Sequence, residues 1–310
     1  MDARSAKTRS GPAAPALDRR GALLVAASAL IWSFGGAIAR GIGIDDPWTI
    51  VFWRSVFAAL FLFAFLLVRD GPAGLRLFRE MGVPGLAVAV FFATASVAFV
   101  MAIQYTSIAN VILIGAAVPL VAAVIGRVLF RTPVSRATWI AIAAVLAGVS
   151  VMVVGPDQTG GAALGNALAV LMTFAFAGAT VVTRQYHGIR MTPAVCTAMI
   201  LAASVAAANA SGFAASGRDF ALLFTFGALN LGLGMAFFVT GARLIPAALT
   251  ALLGTAETVL QPIWVWLFHG EIPAARSLTG GAIVLVALVV HILLEARRSR
   301  PDGPTVPTPP

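Results

Sequence analysis

The chain has 310 residues, of which 60% are hydrophobic and 11% charged, and its mean hydropathy is +0.95. So apolar a composition excludes a water-facing globular surface and leaves an integral membrane protein. The formal net charge of +9 would suit nucleic acid if the basic residues formed one patch, but they are scattered over short loops and two tails. A single cysteine, Cys196, excludes an internal disulfide framework and a CxxC metal or redox motif.

The first twenty residues carry Arg4, Lys7, Arg9, Arg19 and Arg20 among Pro and Gly and read as a disordered basic tail. Ten apolar stretches follow, at 21–39, 48–68, 83–103, 107–128, 137–155, 162–183, 193–213, 220–241, 246–268 and 277–294. Hydrocarbon holds no water, so each stretch must close its own backbone hydrogen bonds as a helix. The first is too long for a signal-peptide core and is read as a span. Breakers fall between the stretches: Asp45-Asp46-Pro47, Gly71-Pro72, Gly155-Pro156, Ser216-Gly217, and Gly270 with Pro273. Residues 295–310, with five prolines from Pro301 onward, form a second tail. The expected fold is therefore all-α and polytopic, with ten transmembrane helices.

Basic residues assign the sides. With a cytoplasmic N-terminus, the outer segments hold Arg40, Arg218 and Arg276, and Arg54 lies within a span, which leaves seventeen of the 21 Lys and Arg inside. That bias predicts cytoplasmic termini and insertion in the cytoplasmic (inner) membrane. Trp48, Tyr105 and Trp266 then fall near the outer interface, with Trp139 and Tyr186 near the inner one.

An offset of 139 residues lays Ala102–Ala109 over Gly241–Ala248 and Gly115 over Gly254. With a three-residue gap, Phe34-Gly35-Gly36-Ala37 lies over Phe176-Ala177-Gly178-Ala179. The expected repeats are 21–155 and 156–294. Five spans is an odd number, so the second half must enter the membrane in the opposite sense. Inverted repeats are the architecture of alternating-access transporters, with substrate bound near the midplane. Span eight, where Gly227, Gly232 and Gly234 surround Asn230, is the one expected to flex.

Several runs resemble the EamA-type ten-helix branch of the drug/metabolite transporter superfamily. They are Leu30-Ile31-Trp32-Ser33-Phe34-Gly35-Gly36, Pro47-Trp48-Thr49-Ile50-Val51-Phe52-Trp53-Arg54, Ala102–Asn110, and Trp266-Leu267-Phe268-His269-Gly270-Glu271. The resemblance spans nearly all of 21–294. It implies movement of small polar metabolites, amino acids or drugs, usually driven by an ion gradient. Two departures stand out. The first half has Arg131-Thr132 where the family places Gly-Glu, and the usual Glu-Pro of span nine reads Glu257-Thr258, with proline displaced to Pro262.

The polar residues left inside the spans are the functional candidates. Arg54 lies six residues into span two, about 9 Å below the outer boundary, where burial costs about 2.5–3.5 kcal/mol. It either snorkels outward or pins a neighbouring carbonyl, or it offers a guanidinium to a substrate carboxylate or phosphate. Glu257 lies about 16 Å from the inner end of span nine. Pro262 cannot donate to the carbonyl of Thr258, so an acid and a freed carbonyl sit together there. Glu257 is a candidate for proton coupling or amine binding, or else a neutral acid bonded to another helix. It and Arg54 are close enough in depth to pair in the empty state. Trp32 is a candidate cavity wall, and Asn110, Asn230 and Gln261 are candidates for substrate hydrogen bonds, each with helix packing as the alternative. Glu271, at the outer rim, reads as a salt bridge or a cap.

No GxxxxGK[ST], HExxH or GxSxG run points to an enzyme. His187, His269 and His291 are too dispersed for a metal site, and neither a cofactor nor a catalytic residue is expected. The reading is a secondary transporter of small polar metabolites working by alternating access with proton-coupled export. An uncoupled facilitator and a structural membrane protein are the alternatives. Its expected partners are a small-molecule substrate and membrane lipid, with a proton and a homodimer left open and nucleic acid excluded.

Overall fold

The computed structural model describes residues 18–298 apart from 132–133, 154–159, 187, 243 and 246. Most of both expected tails, the Gly155-Pro156 turn, His187 and Arg243 thus lie outside the described residues. The described elements are all helical. Among the described residues, seven helices are long and apolar enough to cross a membrane, or eight if the bent pair Ile108–Gly115 and Val118–Phe130 counts as one span. The shorter helix Arg136–Val153 and the helix Ala247–His269 occupy the other two expected positions.

Local chemistry sets the helix ends. Helix α1 (Arg19–Ser33) starts two residues before its expected position because the Asp18 carboxylate accepts the N–H of Arg20 at 2.9 Å and of Gly21 at 3.2 Å. A one-residue break at Phe34 separates it from α2 (Gly35–Gly41). There Ser33 Oγ donates to the Leu30 carbonyl, and two glycines follow. Helix α3 (Pro47–Asp70) has Pro47 in its first turn and Asp46 as its cap. The short α4 (Leu77–Glu80) leads to α5 (Gly82–Tyr105). Helices α6 (Ile108–Gly115) and α7 (Val118–Phe130) meet at 40°. Pro119 explains the bend, since its ring has no N–H and would clash with the Gly115 carbonyl.

Helices α8 (Arg136–Val153), α9 (Gly160–Gln185) and α10 (Thr192–Asn209) follow. Between α11 (Gly217–Phe224) and α12 (Gly234–Gly241) lies a π-helix, Thr225–Leu233, in the glycine-rich stretch around Asn230. Helix α13 (Ala247–His269) runs uninterrupted through Pro262. Helix α14 (Ala275–Arg298) extends past the expected end at 294.

The helices close on small residues, as packing in lipid requires. Gly227 lies against the Arg54 carbonyl oxygen and 2.8 Å, measured to an added Cβ, from Phe57 Cβ. Gly148 of α8 meets the Gly280 carbonyl of α14. Helix α1 packs on α12 and α13, α9 on α5 and on α6–α7, α3 on α10 and the π-helix, and α10 also on α5. The outer surface carries exposed Leu, Ile, Val, Phe and Trp, among them Val68, Ile140 and Trp266, a composition suited to lipid.

Two loop features give predictions. Arg131 ends α7 with φ +54°, a left-handed conformation that Gly270 adopts with φ +66° at the end of α13. Those are the two positions that the 139-residue offset superposes. A side chain there costs about 1–2 kcal/mol, so Arg131→Gly should raise the unfolding free energy by about 1 kcal/mol in detergent melts. Asp46 accepts from Trp48 N–H, Thr49 Oγ1, and Ser211 N–H and Oγ, at 2.8 to 3.0 Å, fixing the α10–α11 connection onto α3. Partial burial works to raise its pKa, but those hydrogen bonds prevail and hold it below the ordinary carboxylate value. Its contribution is therefore complete above about pH 4 and is lost as pH falls through the folded value. Asp46→Ala should cost about 1 kcal/mol at neutral pH, with the deficit closing as the melts are taken to lower pH.

Candidate functional site

A cavity of about 260 Å³ lies among α1, α3, α5, α6–α7, α9, α10, the π-helix and α13. Five of the six residues singled out from the sequence line it: Trp32, Arg54, Asn230, Glu257 and Gln261. Its remaining wall is largely apolar and aromatic, with Phe92, Phe99, Met172, Phe176, Val195 and Met199.

Arg54 is 6% exposed and does not snorkel. Its Nη1 donates to Ser96 Oγ of α5 at 2.7 Å. The guanidinium carbon lies 4.4 Å from the centre of the Phe226 ring and 5.5 Å from that of Phe99. A desolvated cation over a ring gains about 2 kcal/mol, comparable with its insertion cost. Gly227 makes this possible, because the absence of a side chain lets the π-helix carry Phe226 up against α3. The Nε atom has no hydrogen-bond partner, and among the described residues no carboxylate lies within 4.0 Å of Arg54. The Arg54–Glu257 pair considered from the sequence is therefore not formed. An aromatic pair and a hydroxyl hold the guanidinium in its place.

Glu257, half-buried on α13, makes no hydrogen bond or ion pair among the described residues. Thr258, whose carbonyl Pro262 leaves without its helical donor, lines the same cavity. The Trp32 Nε1 and Gln261 Oε1 atoms are buried with no partner. Asn230 Nδ2 donates to the Ile31 carbonyl, which fixes the π-helix to α1. Buried polar groups are normally satisfied. Four polar side chains with unspent capacity around one cavity provide donors and acceptors for a small polar or charged molecule, and the aromatic wall suits its apolar part.

Asn110 lies elsewhere. It is a buried node between helices: Nδ2 donates to Thr106 Oγ1 and Asn166 Oδ1, each at 3.3 Å, and Oδ1 accepts from Ser277 Oγ at 2.6 Å. A buried amide satisfied in this way holds α6 to α9 and α14. Glu271 is both the salt bridge and the cap expected of it, with Oε2 at 3.0 Å from Arg40 Nε and Oε1 accepting the Ile108 N–H at 3.2 Å. Sequence reasoning missed Ser96, Phe99 and Phe226. Ser96 gave a signal as one of two hydroxyls, with Thr94, in an apolar stretch. The two rings gave none, since a phenylalanine facing a guanidinium reads like one facing lipid. No cluster of His, Cys, Asp and Glu able to hold a metal occurs among the described residues.

The chain is similar to known transporters. Residues 19–154 match the EamA-like transporter family. The pseudopaline exporter CntI, from two strains of Pseudomonas aeruginosa, is 26% identical over 277 residues, covering 87% of this chain and 95% of the exporter. A solved crystal structure aligns over 90% of this chain and 98% of its own with a TM-score of 0.66 at 16% identity, a likeness of fold alone. All-helical among the described residues, with atoms of Trp32, Arg54 and Gln261 left unpaired on one cavity, this integral membrane protein is a transporter of small molecules similar to the EamA type.

Proposed function

We propose that the chain is a proton-coupled secondary transporter that exports small polar metabolites, such as amino acids or related compounds, by alternating access. The observation that carries this reading is the arginine and the carboxyl on one cavity, neither paired with the other. Arg54, with an unspent Nε–H and only one hydrogen bond, receives an anionic group of the cargo. Glu257, with no hydrogen-bond or ion-pair partner among the described residues, takes a proton or the cargo's amine. One carboxyl that can hold either gives exchange of a proton for a substrate at a single site.

Alternating access rests on ten spans arranged as two inverted repeats, and the packing supports that arrangement. Helix α1 lies on α12 and α13 as α9 lies on α5 and α6–α7, and α3 lies on the π-helix as α10 lies on α5. The pairs α3–α10 and α8–α14 map onto themselves. Exchanging the first five spans for the last five leaves this pattern unchanged. The left-handed caps at Arg131 and Gly270 occupy matching places. The distribution of basic residues supports cytoplasmic termini in the inner membrane, and the name of the Pseudomonas relatives supports the direction of transport.

The test is flux of small zwitterions into or out of liposomes under an imposed pH gradient, for the wild type, Glu257→Gln and Arg54→Ala. The wild type should show flux that collapses with the gradient, and both variants should lose it by at least about ten-fold, the loss of one charged contact. Flux through Glu257→Gln with an unchanged pH profile would remove the coupling role. Flux unaffected by either substitution would move the site out of this cavity.

A further inference from the structure

We propose that α2 is the gate over the outer end of this cavity and that Arg40 is its latch. The inference rests on the transporter reading. Helix α2 is seven residues long and lies between the break at Phe34 and the extended Ile42. Its first residue, Gly35, lines the cavity, and Arg40 is in its last turn. The segment thus runs from the cavity to the end of the bundle, continuing the span of α1 through the single non-helical residue Phe34 and ending at the extended Ile42.

The latch closes on a fixed platform. Arg40 donates through Nε to Glu271 at 3.0 Å and through Nη2 to the Thr106 carbonyl at 3.2 Å. Glu271 is itself held by the Ile108 N–H, the first residue of α6. That end of α6 is anchored by the buried Asn110, Asn166 and Ser277 network, so the platform draws together α5, α6, α9 and α14. Satisfied, buried hydrogen bonds resist opening. The Arg40–Glu271 pair is different: its side chains are 31% and 26% exposed, and water weakens a pair so placed.

The same helix also plugs the passage. A Cβ added to Gly36 would lie 2.6 Å from Ile108 Cγ2, 3.0 Å from Gln261 Nε2 and 3.2 Å from Val265 Cγ2, so α2 fills the space between the platform and the cavity wall. Beyond the latch is a polar recess of about 430 Å³ bordered by Arg40, Tyr105, Asn110, Glu271 and Arg276. Release of Arg40 would let α2 pivot at Phe34 and join that recess to the cavity. His269 Nε2, donating to the Ala37 carbonyl at 2.8 Å, and Gly43 N–H, donating to Asp219, hold the closed position alongside Arg40.

The test uses the full chain with Thr258, on the cavity wall, replaced by cysteine in a Cys196→Ala background. Reaction with a membrane-impermeant maleimide is timed from each face, in intact cells and in inverted vesicles. Arg40→Ala removes the latch, and Glu271→Gln removes its charge while keeping an acceptor for the Ile108 N–H. Both should raise labelling by about five-fold from one face only, the scale of one exposed ion pair. A rise confined to the face bearing the termini would overturn the gate, because α2 lies at the opposite end of the span that begins at Arg19. Unchanged rates from both faces, or an equal rise from both, would overturn the gate. Because labelling needs no flux, this outcome is independent of whether the chain carries a zwitterion or couples to protons.

Discussion

A charge in hydrocarbon has to find its compensation inside the protein, and the way Arg54 finds it organises the centre of this molecule. Its partners are two aromatic rings and one hydroxyl. That choice leaves the guanidinium charge uncancelled, where a carboxylate would have neutralised it. The requirement reaches outward through the fold. Phe226 can approach only because Gly227 lets the π-helix touch the backbone of α3, and the π-helix in turn is fixed to α1 by Asn230. Glu257 stands without a partner on the same cavity, so the two charges share a space and not a bond.

Proline and glycine decide where the spans are rigid. Pro119 bends α6–α7 at the cavity, while Pro262 leaves α13 unbroken. In the first case the chain resolves the clash by turning. In the second, the helix tolerates the missing bond, and the carbonyl that loses its donor belongs to Thr258 on the cavity wall. The one-residue break at Phe34 marks off α2 as the last part of the span that α1 begins. Among the helices around the cavity, α1–α2 and α6–α7 of the first half are thus interrupted, whereas α13 is continuous.

Much of this was legible in the sequence, because hydrophobic length and rare charges are strong signals in a membrane protein. The helix positions, the unusual span around Asn230, and the residues Trp32, Arg54, Asn230, Glu257 and Gln261 could all be named from it. Asn110 could not be placed, since an amide facing a ligand and an amide facing Asn166 and Ser277 look alike in one dimension. Nor could the freedom of Arg54 from Glu257, which depends on where each points and not on how deep each lies. Helix ends moved by a few residues where a cap outweighed hydropathy, as at Asp18.

The most direct test of the unpaired charges is a double-mutant cycle on stability, with Arg54→Met, Glu257→Met and the double variant melted in detergent. If the charges are held for cargo and not for each other, neither single variant loses stability and the effects add to within about 0.5 kcal/mol. If instead either substitution costs about 3 kcal/mol or more and the double variant recovers it, the two residues form a buried structural pair. That result would contradict a site built on charges left free.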